Sequence, residues 1–210
     1  MPQADWAEAT ARKLLARPLP RRWAHTQGVA ATARGLAPVL GPDADLVTAA
    51  AWLHDIGYAP GVAATGFHPL DGARHLRDNE KASAMLCRLV AHHSCAINEA
   101  IERGLAGELA AEFPRARRDL ADALIYCDMT TSPDGYRLPV AHRLAEIRSR
   151  YGPGHLVSRS ITRSEPELIS AVGRVVGRLA ACTRSIAGSS AQADTPASSL
   201  SRCRADCGAR

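Results

Sequence analysis

Aromatic residues make up only 4% of this 210-residue chain. A core with so few rings falls to Ala and Leu, which pack as helices at close approach. No run of 18 apolar residues is present, which excludes a membrane-spanning helix and predicts no membrane partner. The first segment, MPQADWAEATARKLLARPLP, lacks the apolar core of a signal peptide, so a cytoplasmic chain with reduced thiols is expected. No stretch alternates apolar and polar residues beyond a few positions, which excludes an extended sheet. No internal repeat is present. Basic stripes with interleaved aromatics are also missing, which disfavours nucleic-acid binding. The formal charge is +5, and residues 183–210 contribute four Arg against two Asp. So mild an excess fits an anionic substrate and also a merely Arg-rich composition.

The 46% apolar fraction supports one all-α domain, a helical bundle over residues 1–185. Periodicity predicts helices over about 4–17, 21–40, 43–56, 81–93, 97–112, 116–129, 138–150 and 165–184, with a further helix opening at His68. The run LVTAAAWLHDI is apolar nearly all round and reads as a buried helix, with His54 and Asp55 on its last turn and Gly57 at its stop. Pro69 stands at a favoured first-turn position. From about 186 the sequence AGSSAQADTPASSLSRCRADCGAR loses periodicity and reads as a disordered tail. Of six cysteines, Cys87, Cys95, Cys127 and Cys182 lie in apolar helical runs and act as small hydrophobes. Cys203 and Cys207 fall in the tail, which offers no further zinc ligands.

The chemistry-bearing residues are His25, the pair His54–Asp55, His68, the pair His92–His93, and Asp128. A buried Asp beside a buried His is costly unless it is paired or bound to an ion. Imidazoles with carboxylates suit Mn²⁺, Fe²⁺ or Zn²⁺. Many histidines and few cysteines point to a site that keeps positions open for water. The alternative is a structural His–Asp hydrogen bond. Arg21 and Arg22 flank the turn of His25 and are candidates to clamp phosphate. Thr130 and Thr131 follow Asp128; their hydroxyls either touch substrate or cap the helix end. His75, His142 and His155 read as non-ligands.

The order H…HD…D, in His25, His54–Asp55 and Asp128, resembles the signature of the HD-domain superfamily of metal-dependent phosphohydrolases. The resemblance spans about residues 20–150. HPLDGA from His68 is similar to the HPxxGA segment of the binuclear subset, and AHHS to its later HH or HS segment. It implies one or two divalent ions (Mn, Fe, Zn or similar) held by His25, His54, Asp55, His68, His93 and Asp128, with His92 as the alternative to His93. Asp55 would bridge the ions, and Asp55 and His54 would be central to catalysis. The expected reaction is hydrolysis of a phosphoester or phosphoanhydride of a small phosphorylated metabolite or nucleotide by metal-bound hydroxide. Tyr58 and the missing GYP run disfavour the branch that cleaves cyclic dinucleotides. IGYAPG after HD disfavours the alarmone hydrolases. The nearest likeness is to small single-domain bacterial members. Two other readings fit the same residues. One is an HD-type di-iron oxygenase cleaving a C–C or C–P bond. The other is a non-catalytic helical binding module.

Overall fold

The computed structural model describes residues 3–191, and among these the strand-like pairing is one isolated antiparallel bridge, Thr131 to Arg137. The fold is all-α. Its helices are α1 (Gln3–Leu15), α2 (Pro20–Arg34), α3 (Ala37–Leu40), α4 (Ala44–Leu53), α5 (His68–Asp78), α6 (Ala84–His92), α7 (Ile97–Arg103), α8 (Ala106–Glu112), α9 (Arg118–Met129), α10 (Val140–Tyr151) and α11 (Leu156–Ala191). No helix among the described residues is long and apolar enough to cross a membrane.

Helix α4 is the hub, because every residue from Val47 to Leu53 is buried. Around it pack α1, α2, α6 and α9. Ala49, Ala50 and Ala51 are fully buried, as are Ala7 and Ala11 on α1 and Ala30 and Ala33 on α2, so backbones approach closely. Trp23 and Trp52 stack across the α2–α4 contact with ring centroids 5.3 Å apart. A second apolar cluster, including Ile125, Leu144, Ile147 and Leu168, joins α9, α10 and α11.

One contact fixes where α1 begins. The Asp45 carboxylate accepts from the backbone N–H of Gln3 at 2.8 Å and of Ala4 at 3.1 Å. A carboxylate at a helix N-terminus meets otherwise unpaired donors and the positive end of the dipole. Asp45→Ala should therefore cost about 1 kcal/mol and lower the melting temperature by roughly 2–4 °C, as a thermal melt would read.

Several boundaries differ from the periodicity, each for a physical reason. The 21–40 helix is two, because Pro38 has no N–H and in a continuous helix its ring would clash with the Arg34 carbonyl. The 97–112 helix breaks at Gly104, which takes the left-handed conformation at φ 73° and closes α7. The last helix starts at Leu156 and runs through Pro166, with Ile161 and Leu168 buried on either side of the missing hydrogen bond. It continues to Ala191, past the point near 186 where periodicity fails. Extending an existing helix through Ala is far easier than nucleating one. The rest of the expected tail, with Cys203 and Cys207, lies outside the described residues.

Candidate metal centre

The ends of four helices converge on one point. Helix α4 stops at Leu53, so His54 and Asp55 lie in the turn just beyond it rather than on its last turn. His68 is the first residue of α5, and His93 follows the last residue of α6. Asp128 is in the last turn of α9. His25 enters from the second turn of α2. His25, His54, Asp55, His93 and Asp128 are all buried.

Glycine lets these ends meet. Gly57 does not terminate α4; it sits inside the 3-10 turn Ile56–Tyr58. A Cβ there would lie 2.0 Å from the His68 carbonyl oxygen, so only glycine allows α5 to start against the turn. Gly28 and Gly135 do the same between α2 and the 131–138 loop, where a Cβ on Gly28 would stand 2.3 Å from the Gly135 oxygen. That approach brings the Ser132 carbonyl to His25.

Backbone carbonyls orient the imidazoles. The Nδ1–H groups of His25, His54 and His93 donate to the carbonyls of Ser132, Ala51 and Val90 at 2.9, 2.8 and 2.7 Å. A carbonyl only accepts, so in the neutral rings the lone pair is left on Nε2, turned inward. His25 Nε2 is 3.0 Å from Asp128 Oδ1. His68 Nε2 is 3.1 Å from His93 Nε2. Asp55 stands between, with Oδ2 3.4 Å from His54 Nε2 and 4.0 Å from His25 Nε2, and Oδ1 3.4 Å from His68 Nε2. The donors form two groups, His25–His54–Asp128 and Asp55–His68–His93, each with its ligand atoms within 4.8 Å of one another.

A divalent ion fits this arrangement. His54 Nε2 is buried with no hydrogen-bond partner among the described residues. Such an orphan costs about 1–3 kcal/mol, and coordination removes that cost. Burial opposes ionisation of Asp55, but Arg22, His54 and His68 outweigh it and hold the carboxyl well below its usual range. Burial likewise opposes ionisation of Asp128, and His25 reverses the balance. Burial lowers His68 and His93 below the ordinary imidazole value. Burial also pulls His54 down, but Asp55 and Asp128 raise it overall. Ionised carboxylates with neutral His68 and His93 are the protonation states that ligation requires.

A sequence model of the HD domain matches residues 22–127. The chain belongs to the HD-domain family. Comparison with curated proteins and with solved structures gives no match. HD domains mark the superfamily of metal-dependent phosphohydrolases and bind divalent metals, and the matched segment contains His54 and Asp55. Asp128 lies one residue beyond the matched segment.

Around the HD pair stand Arg22, which the sequence marks only as a candidate phosphate clamp, and other residues to which it gives no role. Arg22 Nη1 donates to Asp55 Oδ2 at 2.8 Å. Its guanidinium lies 3.9 Å over the Tyr58 ring, which in turn stacks on His68 with centroids 3.9 Å apart. The Ser94 hydroxyl donates to Asp128 Oδ2. Ser94 and Cys95 hold left-handed φ values of 48° and 60°, uncommon for side-chain-bearing residues and a mark of a constrained turn. Burial pushes the Cys95 thiol up to about 11, so it stays protonated at neutral pH. Arg143 on α10 is buried beside Asp128, with Nη2 3.8 Å from Oδ1. Periodicity alone marks Arg143 as one more arginine on an Arg-rich helix. Ser94, next to a candidate ligand, and Arg22, beside the turn of His25, are the ones the sequence marks.

Other candidates point elsewhere. His92 Nε2 donates to the Phe113 carbonyl at 2.6 Å, so its neighbour His93 is the one in the cluster. Arg21 pairs with Asp134 at the surface, at 2.8 Å. Thr130 and Thr131 donate back to the carbonyls of Tyr126 and Cys127, as helix-end caps do. His142 and His155 are exposed, and His75 lies 3.7 Å from Glu80.

Proposed function

We propose that this HD-domain chain is a phosphohydrolase that cleaves a phosphoester or phosphoanhydride bond in a small phosphorylated metabolite or nucleotide. The observation that carries the reading is the inward convergence of four imidazoles and two carboxylates beneath a half-open cleft lined by Arg22, Arg143 and Arg150. His25, His54 and Asp128 would hold one ion, and Asp55, His68 and His93 a second, with Asp55 turned toward both groups. Bound divalent ions would lower the pKa of water and neutralise phosphoryl oxygens. The protein's own share is to fix the ligands. Three carbonyls hold imidazole tautomers, Arg22 holds Asp55, Tyr58 stacks on His68, and Ser94 holds Asp128. Such supporting partners are typically worth 10–100-fold in metal affinity or activity. The arginines make the cavity attractive to phosphate and other anions.

The test pairs elemental analysis of protein purified without added metal with a phosphate-release screen over nucleotides and dinucleoside polyphosphates. Release that a chelator abolishes is expected. Iron, oxygen uptake and no phosphate release would replace the proposal with an oxygenase. No stoichiometric metal, with stability unchanged on chelation, would leave only a binding module.

The division of ligands has its own consequence. His68→Ala and His93→Ala should each remove the ion of the second group while His25, His54 and Asp128 keep the first. Metal per chain is the readout, and unchanged stoichiometry in both variants would mean that the second group holds no ion.

A further inference from the structure

The three arginines over the metal ligands use their donors differently. Arg22 is committed to Asp55 and to the face of Tyr58. Arg150 is about a third exposed, and its Nε lies 3.3 Å from Glu146. The Arg143 side chain is only 6% exposed, yet its one hydrogen bond among the described residues runs from Nη1 to Glu146, at 2.6 Å. Its Nε is buried without a partner. Its Nη2 stops 3.8 Å from Asp128 Oδ1, outside hydrogen-bond reach. A guanidinium has five N–H donors and cannot shed its charge. Burying the charge with its Nε–H unmet is costly, and Nη2 is left free to donate, so the position is built for an anion that completes it.

Two cavities meet at this side chain. Arg22, His25, Arg143 and Arg150 line both the cavity over the metal ligands and a neighbouring one of about 310 Å³. The neighbour is walled by Pro18, Leu19, Pro20 and Pro133. An anion at Arg143 therefore sits between the metal ligands and a largely apolar cleft.

We propose that Arg143 binds the phosphoryl group of the substrate, and that this substrate is an organic phosphomonoester whose carbon-bearing part lies in the Pro18–Pro20 cleft. The proposal rests on the phosphohydrolase reading and names its substrate class. Arg143 comes from α10, outside the segment that matches the HD domain. Glu146, one turn on, holds the guanidinium until an anion replaces it.

Calorimetric titration of the full-length protein as purified tests this with inorganic phosphate and with phenylphosphonate, which is not hydrolysed. Arg143→Met should weaken both by about 10- to 100-fold. Arg143→Lys should recover part of the loss, because ammonium is a point charge without the fork. Glu146→Gln should tighten phosphate binding, a gain that a purely structural Arg143 would not produce. Arg148→Met, which removes a charge paired with Glu165 and lining neither cavity, should change nothing. Phenylphosphonate should bind several-fold tighter than phosphate, and Leu19→Asp should erase that difference. Unchanged phosphate affinity in Arg143→Met, or equal losses in Arg143→Met and Arg148→Met, would overturn the proposal. Phenylphosphonate binding no tighter than phosphate would overturn the organic class. If Arg143→Met melts early, Arg143→Lys and Glu146→Gln decide between the same outcomes. No arm reads turnover. Arg143-dependent phosphate binding without phosphate release would sink the hydrolase reading alone, and hydrolysis with Arg143-independent binding would sink this one alone.

Discussion

Asp55→Ala abolishes turnover, a loss expected on the order of 10³-fold or more, and lowers the metal content of the purified protein. Asp55 is the one side chain turned toward both ligand groups, with Oδ2 3.4 Å from His54 Nε2 and Oδ1 3.4 Å from His68 Nε2. It is also the partner of Arg22 at 2.8 Å. Removing it leaves a mostly buried guanidinium without its counter-charge and the His68–His93 group without a carboxylate. Asp55→Asn keeps the shape and removes only the charge, so it separates packing from coordination. The same loss of metal is expected there, with a smaller fall in melting temperature than for alanine. Elemental analysis, a melt and the phosphate assay suffice. Full activity in either variant would remove Asp55 from the centre of the site.

Gly57→Ala should be the most damaging single methyl group in the protein. The added Cβ would lie 2.0 Å from the His68 oxygen, 2.7 Å from its carbonyl carbon and 2.8 Å from the Gly72 nitrogen. All three are backbone atoms, so no rotamer relieves the clash. Either the turn after the HD pair or the start of α5 must move, and both carry ligands. Overpacking costs typically about 1–3 kcal/mol, and backbone displacement puts this case at the upper end. A fall in melting temperature of roughly 6–12 °C is expected for a chain of this size, with loss of the metal bound through His68. A variant that melts and binds metal as the parent does would show that the turn has slack the geometry denies.

Legibility varies from residue to residue. The six metal-ligand candidates are readable because their chemistry is rare in an apolar helical context and their order carries a family pattern. His93 against His92 is an open choice in the sequence, since adjacent residues differ in direction only once the helix end is placed. The structure turns His92 to the Phe113 carbonyl and His93 inward. Gly57 reads as a helix stop because a glycine after an apolar run most often is one. Its actual constraint is a backbone from another element, invisible in a local window. Arg143 is illegible for the same reason: on its own helix nothing distinguishes it from Arg148 or Arg150.

The sequence alone determined the all-α class, the order of most helices, the apolar character of α4 and the residue types that can hold a divalent ion. These depend on periodicity, propensity and side-chain chemistry, which are local properties. Tertiary structure alone decided that His25 faces Asp128 and His68 faces His93, that Asp55 stands between the groups, and that Arg22 is bound up with Asp55. It also decided that the Arg143 Nε–H is buried without a partner, while Thr130 and Thr131 turn back to their own helix. These depend on how α2, α4, α5, α6, α9 and α10 cross. Crossings are set by close approaches such as Gly57 to His68 and Gly28 to Gly135, between residues that no local pattern connects.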